Sequence, residues 1–199
     1  MNDSDGLWIQ TYSGKRFHFL SPSPEELDIE DIAHALGLTC RYGGHSRQFF
    51  SVAQHCVLAS YLYPHPWSLL HDLGEAYLGD IPSPIKRTLP HFSDAEEGIL
   101  KIASERFNLV WPIPAQVNVV DKQLLKLEMN SMMRFPEAYT AQGLDKFKQR
   151  LEDVFPNRMA ASWTPEEAEF RFLKRYEEFV IEHQQRNATA QVPAGSGLD

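Results

Sequence analysis

The sequence predicts an all-α helical bundle with a small N-terminal β-hairpin. Three observations carry that reading. Apolar residues recur at helical spacing along most of the chain. Serines, threonines, glycines and prolines stand where helices start and stop. Strand-like alternation is confined to the N-terminus.

Taken in order, "LWIQTYSGKRFHFL" flanks Ser13-Gly14 with aromatic and β-branched residues, which predicts a hairpin around a tight turn. In "SPSPEELDIEDIAHALG", Ile29, Ile32, Ala33 and Leu36 share a helical face, and Gly37 is placed to end that helix. The loop "LTCRYGGHSRQFF" is rich in Arg, His and aromatic residues. His45 and Arg47 there are candidates for a pocket wall or a subunit contact. Ser51 caps the next helix, "VAQHCVLASYLY", with Val52, Cys56, Ala59 and Tyr63 as its stripe. Beyond Pro64 and Pro66, a helix is predicted over about 67–78. Prolines 82, 84 and 90 make "GDIPSPIKRTLP" a loop.

Ser93 and Glu96 read as a capping box for a helix to about 108. Pro114 opens a helix over "AQVNVVDKQLLKLEMNSMM", and a shorter amphipathic piece covers about 143–154. Thr164-Pro165-Glu166-Glu167 supplies a cap, a first-turn proline and early acids for the last helix. Its face carries Phe172, Leu173, Tyr176, Phe179 and Val180. Residues 1–186 are expected to form one domain, and 187–199 a flexible C-terminal tail of small residues with little to bury.

The chain has 199 residues, 43% of them apolar and 23% charged, which suits one globular domain with a sizeable core. Its net charge of −8 argues against a nucleic-acid polymer or an anionic membrane surface as partner, since both demand clustered Lys and Arg. A local basic pocket for a small anion stays open. No leader pattern and no run near the roughly 18 apolar residues of a membrane span is visible. Cys40 and Cys56 cannot build a disulfide framework and lie in apolar surroundings, so free buried thiols in a cytoplasmic protein are expected.

Three predicted helices carry polar residues at core-facing phases. His55 lies within the stripe of Val52 and Ala59. His71 and Asp72 interrupt an apolar run, and Val117, Val120 and Leu124 place Asp121 on a buried face. Burying an ionised carboxylate costs several kcal/mol unless a counter-charge meets it. These helices offer no basic residue on the same stripes, because Lys122 and Lys126 point elsewhere. One histidine on an apolar face is usually a hydrogen-bonded core residue. Two imidazoles and two carboxylates from three helices instead call for a cation.

"VAQH", then "HDLGEAYLGDIPSPIK", then "VVDKQLL" resemble the HD-domain superfamily of metal-dependent phosphohydrolases. More narrowly, they are similar to the HD-domain 5′-deoxynucleotidase group, whose relatives include dATP triphosphohydrolases. The resemblance covers about residues 5 to 180 and implies an HD-domain helical bundle. It makes His55, His71, Asp72 and Asp121 ligands of one divalent transition metal ion, Co²⁺, Mn²⁺ or Zn²⁺. Glu75, one turn beyond His71, is expected either to orient His71 or to act as the acid–base group, with the resemblance favouring catalysis. Asp80 would position water or substrate, or cap nearby backbone.

By the same resemblance Arg41 clamps phosphate, Tyr42 stacks on the nucleobase, Pro84 abuts base or sugar, and Lys86 meets a further phosphate. Members of the group often carry Trp or Phe where this chain has Tyr42. The implied activity is hydrolysis of 2′-deoxynucleotides, releasing phosphate from a monophosphate or tripolyphosphate from a triphosphate. The alternatives are a non-catalytic nucleotide sensor and a hydrolase of cyclic or alarmone nucleotides. The expected partner is a small deoxynucleotide, and the resemblance implies a homo-oligomer, with the aromatic last helix as interface.

Overall fold

A computed structural model describes residues 6–134, 143–155 and 161–190. Strands β1 (Ile9–Gln10) and β2 (Arg16–Phe17) form the expected antiparallel hairpin, with Ile9 opposite Phe17. Ser13 at its turn donates from both backbone N–H and hydroxyl to the buried Asp31 carboxylate, and Phe17 stacks on Tyr77 at 3.8 Å. The hairpin is thereby pinned to the helices, which explains why so short a pair persists.

Helix α1 (Ile29–Leu38) starts at Asp28, whose side chain accepts from the Glu30 N–H. Gly37 does not terminate it, as the sequence led one to expect; the helix runs on to Leu38. Gly37 instead lies where α1 meets α9 (Pro165–Ala190), and a Cβ there would stand 2.9 Å from the Pro165 carbonyl oxygen. The glycine marks a close backbone approach rather than a stop signal.

Helix α2 (Val52–Leu62) is capped by Ser51, which accepts from the Gln54 N–H. Its residues 52–60 are all buried, so the expected stripe is in fact a complete apolar sleeve. Neighbours cover α2 on every side: α1, α3 (Pro66–Leu70), α7 (Ala115–Met132), α8 (Asp145–Val154) and α9. Such a helix must satisfy its polar side chains internally. Gln54 does so through Ala161 O and Trp163 N, at 2.9 and 3.0 Å. Ser60 receives the Arg175 guanidinium, which lies between the Tyr61 and Phe179 rings at 4.4 and 4.3 Å.

The helix expected over 67–78 is broken in two. After α3 the chain turns through residues 71–74 before α4 (Glu75–Leu78). The N–H groups of Leu73, Glu75 and Ala76 bond three residues back, to Leu70, Asp72 and Leu73. The α-helical ladder therefore tightens to three-residue bonds at the His71-Asp72 pair, with His71 and Gly74 still in right-handed helical backbone. In the stretch expected as loop, α5 (Ser83–Lys86) is a single turn that accepts Pro84 because the first turn needs no donor there. Helix α6 (Pro90–Arg106) begins at Pro90, ahead of the expected Ser93 capping box. Ser93 lies inside it, and Glu96 reaches Lys86 instead, at 2.7 Å.

In α9, Phe172 and Phe179 are buried in the chain's own core, while Phe170 and Ile181 face outward. The aromatic face assigned to a subunit contact is thus largely consumed within the fold. The helix extends to Ala190, so 187–190 are helical where a flexible tail was expected, and 191–199 lie outside the described residues. Cys56 is buried as expected, whereas Cys40 is only half-buried; both thiols are free. No helix among the described residues is long and apolar enough to cross a membrane.

Candidate metal centre

Each residue of the centre is delivered by a local feature of the chain. His55 stands one turn into α2, behind the Ser51 cap. His71 and Asp72 occupy the break between α3 and α4, and Asp121 comes from the first half of α7. Their donor atoms converge. His55 Nε2 lies 3.3 Å from His71 Nε2, 3.2 Å from Asp121 Oδ1 and 3.7 Å from Asp72 Oδ2. His71 Nε2 is 3.3 Å from Asp72 Oδ2 and 3.9 Å from Asp121 Oδ1. Two ligands each about 2.1 Å from one ion stand about 3.0 Å apart at right angles and about 3.4 Å apart in a tetrahedron. His55, His71 and Asp121 bring their donor atoms close enough together to hold one metal ion, while Asp72 groups with His71 and Cys56 rather than with Asp121.

The tautomers point the same way. His71 Nδ1 lies 3.0 Å from the Ser68 carbonyl oxygen, which can only accept, so Nδ1 carries the proton and Nε2 offers a lone pair. His55 Nδ1 lies 2.7 Å from Glu128 Oε1 and donates to it in the same manner. Paired outward bonds of this kind orient metal-binding imidazoles. The set of two nitrogens and two carboxylates suits Co²⁺, Mn²⁺ or Zn²⁺.

Burial sets the direction of access. The His55 side chain is 0% exposed, whereas Asp72 and Asp121 are 21% and 32% exposed. The carboxylate side therefore faces out, and there a cavity of about 390 Å³ opens. Its wall holds Arg41, Tyr42, Glu75, Asp80, Pro84 and Lys86 beside the two aspartates. Every substrate-binding or catalytic residue expected from the sequence thus borders one space. His45 and Arg47 do not. His45 is exposed, and Arg47 bonds the backbone of Ser131 and Met132, beside a separate cavity.

Arg41 is placed by the loop that precedes α2. Cys40 pairs with Ser51 as an antiparallel bridge, and the Arg41 N–H donates to Phe50 O at 2.8 Å. Its guanidinium is buried, with Nη1 3.3 Å from Asp72 Oδ2 and Nε 3.4 Å from Glu128 Oε2. The helical stripes lack a basic residue, but this loop cation supplies part of the compensating charge. Tyr42 holds left-handed backbone at φ 61°, and Gly43 follows at 58°. Glycine adopts that geometry freely, whereas Tyr42 must be held there. Asp80 Oδ2 accepts its N–H at 3.0 Å, and Glu128 Oε2 accepts its hydroxyl at 2.7 Å. Asp80 therefore anchors the Tyr42 loop, a backbone role that the sequence left open.

Protonation states follow from these contacts. Burial and the Arg41 charge both oppose a charged His55, yet Glu128 and Asp121 prevail and raise its pKa to about 10. Burial works against ionisation of Asp72, but the neighbouring His71 and His55 imidazoles and the Arg41 guanidinium outweigh it and hold the carboxyl below its ordinary range. Asp121 is likewise held down, against burial, by its bond to His55 and the neighbouring cations. Glu75 goes the other way: burial, then Asp72 and Asp80, push its pKa well above the ordinary value. Its Oε2 is buried without a hydrogen-bond partner among the described residues, and Lys86 Nζ is 3.6 Å from Oε1. Cys56 lies beside His71 and Asp72, and burial keeps its thiol protonated.

The chain is 38% identical over 128 residues to the uncharacterized protein YfdR of Escherichia coli strain K12, covering 63% of this chain and 72% of YfdR. It is 30% identical over 148 residues to the uncharacterized protein RCAP_rcc00048 of Rhodobacter capsulatus, covering 66% of this chain and 76% of that protein. The chain belongs to their family. No family model matches it.

For this family member, Glu128 is the site residue that sequence reasoning passed over. It is 1% exposed and stands seven residues after Asp121, two turns along the same face of α7. That spacing was the available signal, hidden because a glutamate late in an amphipathic helix ordinarily reads as solvated. Leu125 and Met129 share the cavity wall and continue the line from Asp121 at four-residue steps.

Proposed function

We propose that this protein is an HD-type, divalent-metal-dependent phosphohydrolase of 2′-deoxynucleotides, acting in the cytoplasm. The observation that supports the reading best is the pair of opposed imidazole nitrogens. They are flanked by two carboxylates and open onto a cavity that also holds a buried arginine, a lysine and an acid of raised pKa.

A divalent ion held by His55, His71, Asp72 and Asp121 would supply Lewis-acid charge at the phosphoryl oxygens. Arg41 presents a guanidinium fork to the same oxygens, a geometry suited to phosphate. Lys86 is held by Glu96 at 2.7 Å, and its remaining donors are available to a phosphate farther along the cavity. Water attacks phosphorus, the bond to the leaving oxygen breaks, and Glu75, kept protonated by burial and neighbouring acids, donates its proton to that oxygen and recovers one from the attacking water, so that its state is restored. The other product is inorganic phosphate if the substrate is a monophosphate, or tripolyphosphate if it is a triphosphate.

Incubation of dAMP and of dATP with the protein and Co²⁺, followed by separation of products, tests the proposal. Phosphate from dAMP supports a nucleotidase, and tripolyphosphate from dATP a triphosphohydrolase. Nucleotide binding without turnover would replace the enzyme with a sensor, and turnover of cyclic or alarmone nucleotides alone would move the substrate class. Asp72→Asn should lower turnover at least about a hundredfold, because loss of a mere supporting contact already costs 10–100-fold. A folded Asp72→Asn protein with full turnover would refute the metal assignment. Light scattering tests the accompanying homo-oligomer.

A further inference from the structure

We propose that Glu128 is a positioning residue that joins the metal centre to the substrate-facing loop through one buried carboxylate. Its Oε1 accepts from His55 Nδ1 at 2.7 Å. Its Oε2 accepts from the Tyr42 hydroxyl at 2.7 Å and lies 3.4 Å from Arg41 Nε. A carboxylate that is 1% exposed is tolerated only when its oxygens are met, and here each oxygen serves a different part of the site.

The arrangement follows from α7. Asp121 and Glu128 lie two turns apart on one face, and they take the two nitrogens of the same imidazole. Asp121 Oδ1 is 3.2 Å from Nε2 while Glu128 Oε1 is 2.7 Å from Nδ1. One helix therefore sets both the lone-pair direction of His55 and the carboxylate beside it. Through the other oxygen, the same helix holds Tyr42 in its left-handed conformation and Arg41 over the cavity. Metal affinity and the hold on the phosphate-facing residues thus depend on a single group. The His55 half of this inference stands on the metal centre alone; the Arg41 half rests on the phosphohydrolase reading.

Titration with Mn²⁺, following the free ion by its electron paramagnetic resonance, reads the first half without any turnover. Glu128→Ala, which leaves His55 Nδ1–H unpaired, should weaken Mn²⁺ binding roughly a hundredfold. Glu128→Gln keeps the shape and an accepting oxygen but loses the charge, so it should weaken binding roughly tenfold, the low end of the same range. Glu128→Gln also removes the negative charge 3.4 Å from Arg41 Nε, an ion-pair contact rather than a hydrogen bond, so KM for the deoxynucleotide should rise severalfold as Arg41 loses its hold.

Wild-type Mn²⁺ affinity in a folded Glu128→Ala protein would overturn the proposal. If that variant does not fold, wild-type affinity in Glu128→Gln would overturn it instead. The graded order of wild type, Gln and Ala is the supporting result, since a purely structural role would lower thermal stability without ranking metal affinity. If wild-type protein turns over no nucleotide at all, the phosphohydrolase reading fails while the Mn²⁺ series still decides the role of Glu128.

Discussion

His55 Nε2 and His71 Nε2 face each other at 3.3 Å, while each ring's other nitrogen donates to a fixed acceptor, Glu128 or the Ser68 carbonyl. Two lone pairs cannot share that space without something positive between them. In the metal-free protein a proton on His55 fills the role, held there by Glu128 and Asp121, which raise its pKa to about 10 against burial and the Arg41 charge. A metal ion must displace that proton.

The pH dependence of chelated protein follows directly. The folded state binds the His55 proton more tightly than the unfolded chain does, so that stabilisation is complete below about pH 6.5 and is lost as pH rises toward 10. Asp72, Asp121 and Glu128 have lowered pKa values, so their contribution is present above about pH 4.5 and is lost on acidification. Glu75, whose pKa burial raises, loses its contribution as pH rises above about 4.5, so thermal melts in chelator should peak toward the acidic end of the window between about pH 4.5 and 6.5. Mn²⁺ affinity should increase about tenfold per pH unit from pH 6.5 to 8, with about one proton released per ion, readable as a buffer-dependent binding enthalpy. Proton-neutral binding across that range would remove His55 from the ligand set.

Arg41 and Lys86 should separate by phosphate count. Arg41→Lys keeps a charge but loses the fork, and is expected to lower kcat/KM about 10–100-fold on any accepted deoxynucleotide. Lys86 lies on α5, beyond Glu75, and is already paired with Glu96. Lys86→Met should affect dATP more than dAMP. Steady-state kinetics on both substrates checks this, and equal losses would place Lys86 at the first phosphate.

Gly37 and Gly98 offer a test of the α1–α9 contact. An added Cβ at Gly37 would meet the Pro165 carbonyl oxygen at 2.9 Å, and backbone cannot swing aside as a flexible side chain can. Gly37→Ala should cost about 1–3 kcal/mol, lowering Tm by several degrees. At Gly98, inside α6, a Cβ meets nothing within 4 Å. Gly98→Ala should instead stabilise by about 0.5–1 kcal/mol through helix propensity. Paired melts of the two variants decide it, and a neutral Gly37→Ala would mean that the helices separate readily.

Helix periodicity located α1, α2, α7 and α9 closely, since each buries a face whose spacing is written locally. It failed where tertiary contacts override local signals. Gly37 carries a stop signature but serves helix packing, and Ser93 and Glu96 carry a capping signature while Glu96 pairs with Lys86. The apolar continuity of "WSLLHDLGEAYL" concealed the break at His71-Asp72, because hydrophobic pattern reports burial and not the spacing of backbone hydrogen bonds.

By itself, the sequence marked His55, His71, Asp72 and Asp121 as polar residues set among apolar ones, because such an interruption is visible within its own helix. Only the tertiary structure decided which charges meet them. Tyr42 reaches Glu128 across 86 residues, and His55 reaches it across 73. Neither pairing leaves a local trace, because hydrogen bonds over that separation depend on how helices pack, while periodicity records only which side of each helix is buried.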